Sequence, residues 1–153
     1  MPARRAKTPR AHRSPACYAH ELEPVPRAGR GDIQVKRIYE PPDPADGYRA
    51  LIDRLWPRGI SRPRAALDNW LIDLAPSTEL RKWFHEDPRR WTQFVRRYRA
   101  ELRAQAPMLE ALRQRARQQR LTLLYAARDP RRNHALVLRD VLRKANAARC
   151  EER

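Results

Sequence analysis

Three helical stretches in succession separate the apolar run Leu121-Thr122-Leu123-Leu124-Tyr125-Ala126 from the strand-like segments that open the domain. Strands joined through long helical segments need crossover connections, which commits the chain to an α/β layer with a mostly parallel sheet. The spacing predicts a single compact domain of three to four strands with flanking helices. The first strand is Ile33-Gln34-Val35-Lys36-Arg37-Ile38-Tyr39, where apolar and polar residues alternate until Glu40-Pro41-Pro42 stops them. A second, central strand is expected within Tyr48 to Trp56, since Ala50-Leu51-Ile52 is continuous apolar sequence and Pro57-Arg58-Gly59 closes the run. Trp70 to Leu74 reads equally well as a third strand or a helical turn.

The helices have legible starts. Ser77 can cap a helix with Glu79 in its first turn and Leu80, Trp83 and Phe84 on its apolar stripe. Asp87-Pro88 opens a second, in which Trp91, Val95, Tyr98 and Leu102 recur at helical spacing while Arg89, Arg96, Arg99 and Arg103 take the other face. A third spans about Pro107 to Gln119, with Met108, Leu109 and Leu112 inward. Asn133 can cap a last helix, His134 to about Ala147, with Leu136, Val137, Val141 and Leu142 inward. Residues 1–31 stand apart, with five of the fourteen prolines, a charge of +5 and no apolar periodicity. They are expected to be a disordered Pro/Arg-rich extension. The domain proper is expected over 32–147, with 148–153 as a short tail.

Composition narrows the function. Four glycines cannot write either the dinucleotide fingerprint or the P-loop. Cys17 and Cys150 are too few and too distant for a disulfide framework, and His12, His20, His85 and His134 are too scattered for a structural zinc. No cofactor and no metal are expected. No apolar run approaches the ~20 residues of a membrane span, and no secretory signal is legible, so a cytoplasmic protein is expected. The net charge is +16, carried by 30 Arg and only 4 Lys. Such a chain attracts polyanions whatever their sequence, although an Arg-rich composition also arises without a nucleic-acid role.

Parallel sheets place their sites beyond the carboxyl ends of the strands. There stand Asp53-Arg54-Leu55-Trp56-Pro57-Arg58-Gly59, in which Arg54 and Arg58 can form a bidentate clamp for a phosphate or carboxylate. Equally, Asp53 and Arg54 can be satisfied by backbone groups or by an internal ion pair. Ser77 and Arg81 lie at a helix N-terminus, which favours an anion, although plain capping also explains Ser77. His134, beside Asn133, faces the strand ends as a general acid or base, or as a helix-start residue bonded to a carbonyl. His85 closes its helix as a dipole-complementing residue.

Arg37-Ile38-Tyr39, Asp46-Gly47, Leu51-Ile52-Asp53-Arg54-Leu55-Trp56-Pro57-Arg58-Gly59, Pro76-Ser77-x-x-Leu80-Arg81, Tyr98-x-x-Glu101-Leu102, Leu123-Leu124-Tyr125-Ala126-Ala127 and Asn133-His134-Ala135 together resemble the YeaO-like proteins, a bacterial family of unknown function numbered 488 among such families. The resemblance covers about residues 33 to 144 and implies a compact α/β domain without an established reaction. The family's lysine after the glycine is Arg62 here, which keeps the charge and removes any Schiff-base option. Three function classes follow. The first is a pocket for a small anionic ligand built from Arg54, Arg58, Ser77, Arg81, Asn133 and His134, with His134 as the candidate catalytic residue. The second is a nucleic-acid module using the Arg face of helix 88–105 and the basic tail, with Trp56, Trp70 or Trp91 for base stacking. The third is an interaction protein whose motif is structural.

Overall fold

The computed structural model describes residues 31–151, with side chains through residue 144. The extension expected over 1–31 lies, apart from Gly31, outside the described residues, as do both cysteine side chains. The elements in chain order are β1 (Ile33–Arg37), β2 (Tyr48–Leu51), α1 (Arg62–Ala65), β3 (Asn69–Trp70), α2 (Thr78–Glu86), α3 (Trp91–Arg103), α4 (Ala106–Gln118), β4 (Leu121–Tyr125) and α5 (His134–Glu151). Short 3-10 turns at Pro44–Asp46, Ile72–Leu74 and Pro88–Arg90 complete it.

All four strands are parallel, in the order β1-β4-β2-β3. The strand that comes last in sequence therefore sits between the first two, with Leu123 opposite Val35 on one side and Ala50 on the other. Because both edges of β4 are paired and both faces covered, all five of its residues are buried, which is why it reads as an unbroken apolar run.

Alternation along the strands sorts the core into two parts. Ile33, Ala50, Ile52, Leu121, Leu123 and Tyr125 join Leu80 of α2, Phe94, Tyr98 and Leu102 of α3, Leu109 and Leu112 of α4, and Val137, Leu138 and Leu142 of α5. On the other side Leu51 and Leu124 pack with Ile38, Ile60 and Ala65, with Trp56, Leu67 and Trp70 against them. The stripe of α3 differs from expectation: Phe94 is buried, and Trp91 and Val95 pack from the rim.

The ambiguous segment after Asn69 is both things the sequence allows. Trp70 pairs with Leu51, and the chain then coils into the turn at Ile72. The second strand ends at Leu51, short of Trp56, because the next two carbonyls are taken by side chains. His134 Nε2 meets Ile52 O at 2.5 Å, and Trp70 Nε1 donates to Asp53 O at 2.6 Å. The helix expected to end near Ala147 continues to Glu151.

Candidate functional site

The carboxyl ends of β2 and β4 meet the starts of α2 and α5, where polar side chains form a cluster. Asp53 follows β2. Its Oδ2 accepts from the Ala126 N–H at 3.0 Å and its Oδ1 stands 2.9 Å from His134 Nε2. That nitrogen faces two acceptors, Asp53 Oδ1 and Ile52 O, so it carries the hydrogen, and Nδ1 is the nitrogen left for other chemistry. His134 reaches this position as the first residue of α5, whose start is capped by Asn133: Oδ1 accepts from Leu136 N, and Nδ2 donates to Asp129 O.

Ser77 caps α2 by accepting from Leu80 N at 3.2 Å. Glu101, on α3, grips the same residue: Oε1 accepts from the Ser77 hydroxyl at 2.5 Å and Oε2 from its N–H at 2.9 Å. The positive end of α2 is thus occupied by a carboxylate of the chain itself, which is what a helix start favours. One turn earlier on α3, fully buried Tyr98 donates to Leu74 O, and its ring stands edge-on to His134 at 6.4 Å. Burial, reinforced by the Glu101 and Asp53 carboxylates, pushes the Tyr98 phenol well above its usual range. It remains a neutral donor.

Arg54 lies against the same corner. Its Nε donates to Pro76 O at 3.1 Å and NH2 reaches Ala75 O at 3.5 Å, so the residue grips the chain leading into α2. Arg81, one turn into α2, is different: its Nε is buried without a hydrogen-bond partner among the described residues. Arg58 sits apart in the exposed 58–59 turn. Its carbonyl accepts from the Tyr39 hydroxyl, and among the described residues no hydrogen bond ties its side chain to Asp53 or His134. The geometry therefore brings Arg54, Ser77, Asn133 and His134 to one corner, with Arg81 a turn away, and leaves Arg58 outside their hydrogen-bond network.

Sequence reasoning assigned no site role to Tyr98 or Glu101. The signal was the spacing Tyr98-x-x-Glu101-Leu102, which puts a carboxylate beside an apolar stripe, where an unpaired charge is costly. Arg37 also went unassigned; its Nε and NH2 bind the Ala127 and Ala126 carbonyls and hold the loop after β4. Among the described residues no three His, Cys, Asp or Glu side chains gather as a metal would require, and no helix is long and apolar enough to cross a membrane.

A family model described as the inactive DUF488-N3 subclade matches residues 32–153. The chain belongs to the DUF488 family. The uncharacterized protein YeaO of Escherichia coli K12 is 49% identical over 112 residues, covering 73% of this chain and 97% of that one. Uncharacterized protein Rv3073c of Mycobacterium tuberculosis H37Rv is 42% identical over 110 residues, covering 72% and 92% respectively. No solved structure matches this DUF488 chain.

Asp53 is the hub of this DUF488 corner, with its side chain 12% exposed. Asp53→Ala removes the acceptor of the Ala126 N–H and the partner of His134 together, and is expected to cost about 1–3 kcal/mol in chemical denaturation. Asp53→Asn keeps an acceptor and should cost less.

Proposed function

We propose that this DUF488 protein binds a small oxyanion, phosphate- or carboxylate-bearing, at the carboxyl end of β2, with Arg54 and Arg81 as the principal contacts and no turnover. The observation that carries the reading is the Arg81 Nε, buried with no acceptor among the described residues. A guanidinium N–H hidden from water without a partner is costly, and an oxyanion is the acceptor whose geometry a guanidinium matches best. Arg54 spends Nε and NH2 on the Pro76 and Ala75 carbonyls, and among the described residues no hydrogen bond takes its NH1, so it can share that anion. His134 contributes its remaining Nδ1 as a positioned ring, and Ser77 and Asn133 hold the helix starts that frame the corner. The family description as inactive agrees with binding rather than catalysis.

A second reading, that the corner is wholly structural, has one specific observation in its favour: the Ser77 hydroxyl and N–H already belong to Glu101. A nucleic-acid surface along α3 has less support. Trp91 there is stacked on Phe94, and Arg90 and Arg97 cover the neighbouring Trp83 at 4.9 and 4.1 Å.

Phosphate separates the first two readings. A ligand at one hundred times its dissociation constant stabilises by about 2.7 kcal/mol. Phosphate is therefore expected to raise the melting temperature of the wild type, and Arg81→Ala to abolish that rise with little change in the phosphate-free melt. A melt indifferent to phosphate in the wild type would leave the structural reading standing.

A further inference from the structure

A groove of about 300 Å3 opens at the edge of the sheet beside β3, lined by Trp56, Arg62, Leu67, Asp68, Asn69 and Trp70. Its two indoles are fixed in place. Trp56 Nε1 donates to Ile60 O at 2.8 Å and Trp70 Nε1 to Asp53 O at 2.6 Å, and the rings meet nearly at right angles, 5.3 Å between centroids. The Arg62 guanidinium fills the corner they make, 4.8 Å from the Trp56 centroid and 5.7 Å from that of Trp70. A flat cation within cation–π range of both rings shows what the corner accepts.

The rim supplies polarity. Asn69 is exposed, and its amide has no hydrogen-bond partner among the described residues. Asp68 accepts from the Arg49 N–H on Oδ2 and lines the same groove. An amide offering both donor and acceptor beside a stacking wall is the arrangement that pairs with the N6 and N7 edge of adenine.

We infer that this groove binds a purine nucleoside monophosphate, its base against Trp56 and Trp70 in the place of the Arg62 guanidinium and its edge on Asn69. The displaced Arg62 is then free to meet the phosphate. Charge orients the ligand: the Asp68 carboxylate disfavours a phosphate beside it, and the Arg62 guanidinium attracts one. The net charge of +16 draws the anion to the surface as a whole. A groove of this volume lies at the small end of ligand pockets, which suits one nucleotide rather than a polymer. The inference does not rest on the Arg54–Arg81 reading.

The test is calorimetric titration of the full chain with AMP, adenosine and inorganic phosphate, with tryptophan fluorescence as a parallel readout. AMP is expected to bind about tenfold more tightly than adenosine and to change the fluorescence, and phosphate should not displace it. Asn69→Ala should weaken AMP and adenosine alike by about tenfold, the lower part of the range for losing one bidentate base contact. Arg62→Ala should leave adenosine binding in place and erase the advantage of AMP. Both side chains are exposed, so both variants are expected to fold, and thermal melts check that. The inference is overturned if AMP does not bind at millimolar concentration or if Asn69→Ala leaves its affinity unchanged. Displacement of AMP by phosphate would overturn it as well and assign the nucleotide to the arginine corner. Phosphate binding lost in Arg81→Ala, with AMP binding absent, would refute the groove and leave the oxyanion reading intact.

Discussion

Gly47→Ala is expected to lower the unfolding free energy by about 3–5 kcal/mol, among the largest effects of any single methyl group in this chain. Gly47 has φ of 64° and ψ of −124°, a region essentially reserved for glycine. An added Cβ would also stand well under 3.0 Å from the Arg120 carbonyl oxygen, closer than real Cβ atoms come. That oxygen is not free to retreat, because it accepts the Tyr48 N–H at 2.8 Å and so starts the pairing of β2 with β4. Relieving the clash pulls apart the two central strands. Urea denaturation measures the loss, and a variant within 1 kcal/mol of wild type, about what glycine and alanine differ by intrinsically, would refute the argument.

Asp46→Asn is expected to cost about 3–5 kcal/mol, since it leaves a buried guanidinium without its counter-charge. Asp46 is 2% and Arg49 4% exposed. The carboxylate takes Arg49 NH1 on one oxygen and Lys36 Nζ on both, at 3.1 Å each. Arg49 also donates to the Ala65 and Ala66 carbonyls at the end of α1, so the charge pair ties that helix to the sheet. Burial by itself raises the Asp46 carboxyl, but the Asp43 N–H together with Lys36 and Arg49 outweighs it and holds the group below the 3.8 of an unperturbed aspartate. A depressed folded-state value means that the unfolded chain takes up the proton first. The stabilisation is complete above about pH 4 and is lost as the pH falls through the folded-state value. Wild-type stability should therefore drop in acid more steeply than that of Asp46→Asn, as read by denaturation at pH 6 and pH 3. Parallel curves would remove Asp46 from the acid response.

Local pattern carried most of the secondary structure. Ser77 and Asn133 announce α2 and α5, and Asp87 announces the 3-10 turn that leads into α3, because a cap is a contact within three residues of sequence. The place of β4 was hidden for the opposite reason: its partners are about 70 to 90 residues away, and nothing in Leu121–Tyr125 says whether one or both of its edges are paired. The candidate site divides in the same way. Asp53 and His134 stand at a strand end and a helix start, positions that the parallel-sheet rule singles out. Glu101 depends on how α3 lies across the start of α2, which only packing decides. A turn as exposed as that of Arg58 gives the sequence no means of fixing where the side chain goes.

The order β1-β4-β2-β3 also governs how the molecule comes into being. Among the described residues β1 has β4 as its sole strand neighbour in the sheet, and β2 holds β3 through two register pairs. Until residues 121–125 leave the ribosome, β1 lacks the partner it has in the folded sheet, and the helices α2 to α4 emerge before the surface that they cover. Such long-range closure folds slowly and keeps apolar faces open for the interval. In this domain the segment that commits the sheet is made after three strands and four helices, and all of them wait on residues 121–125.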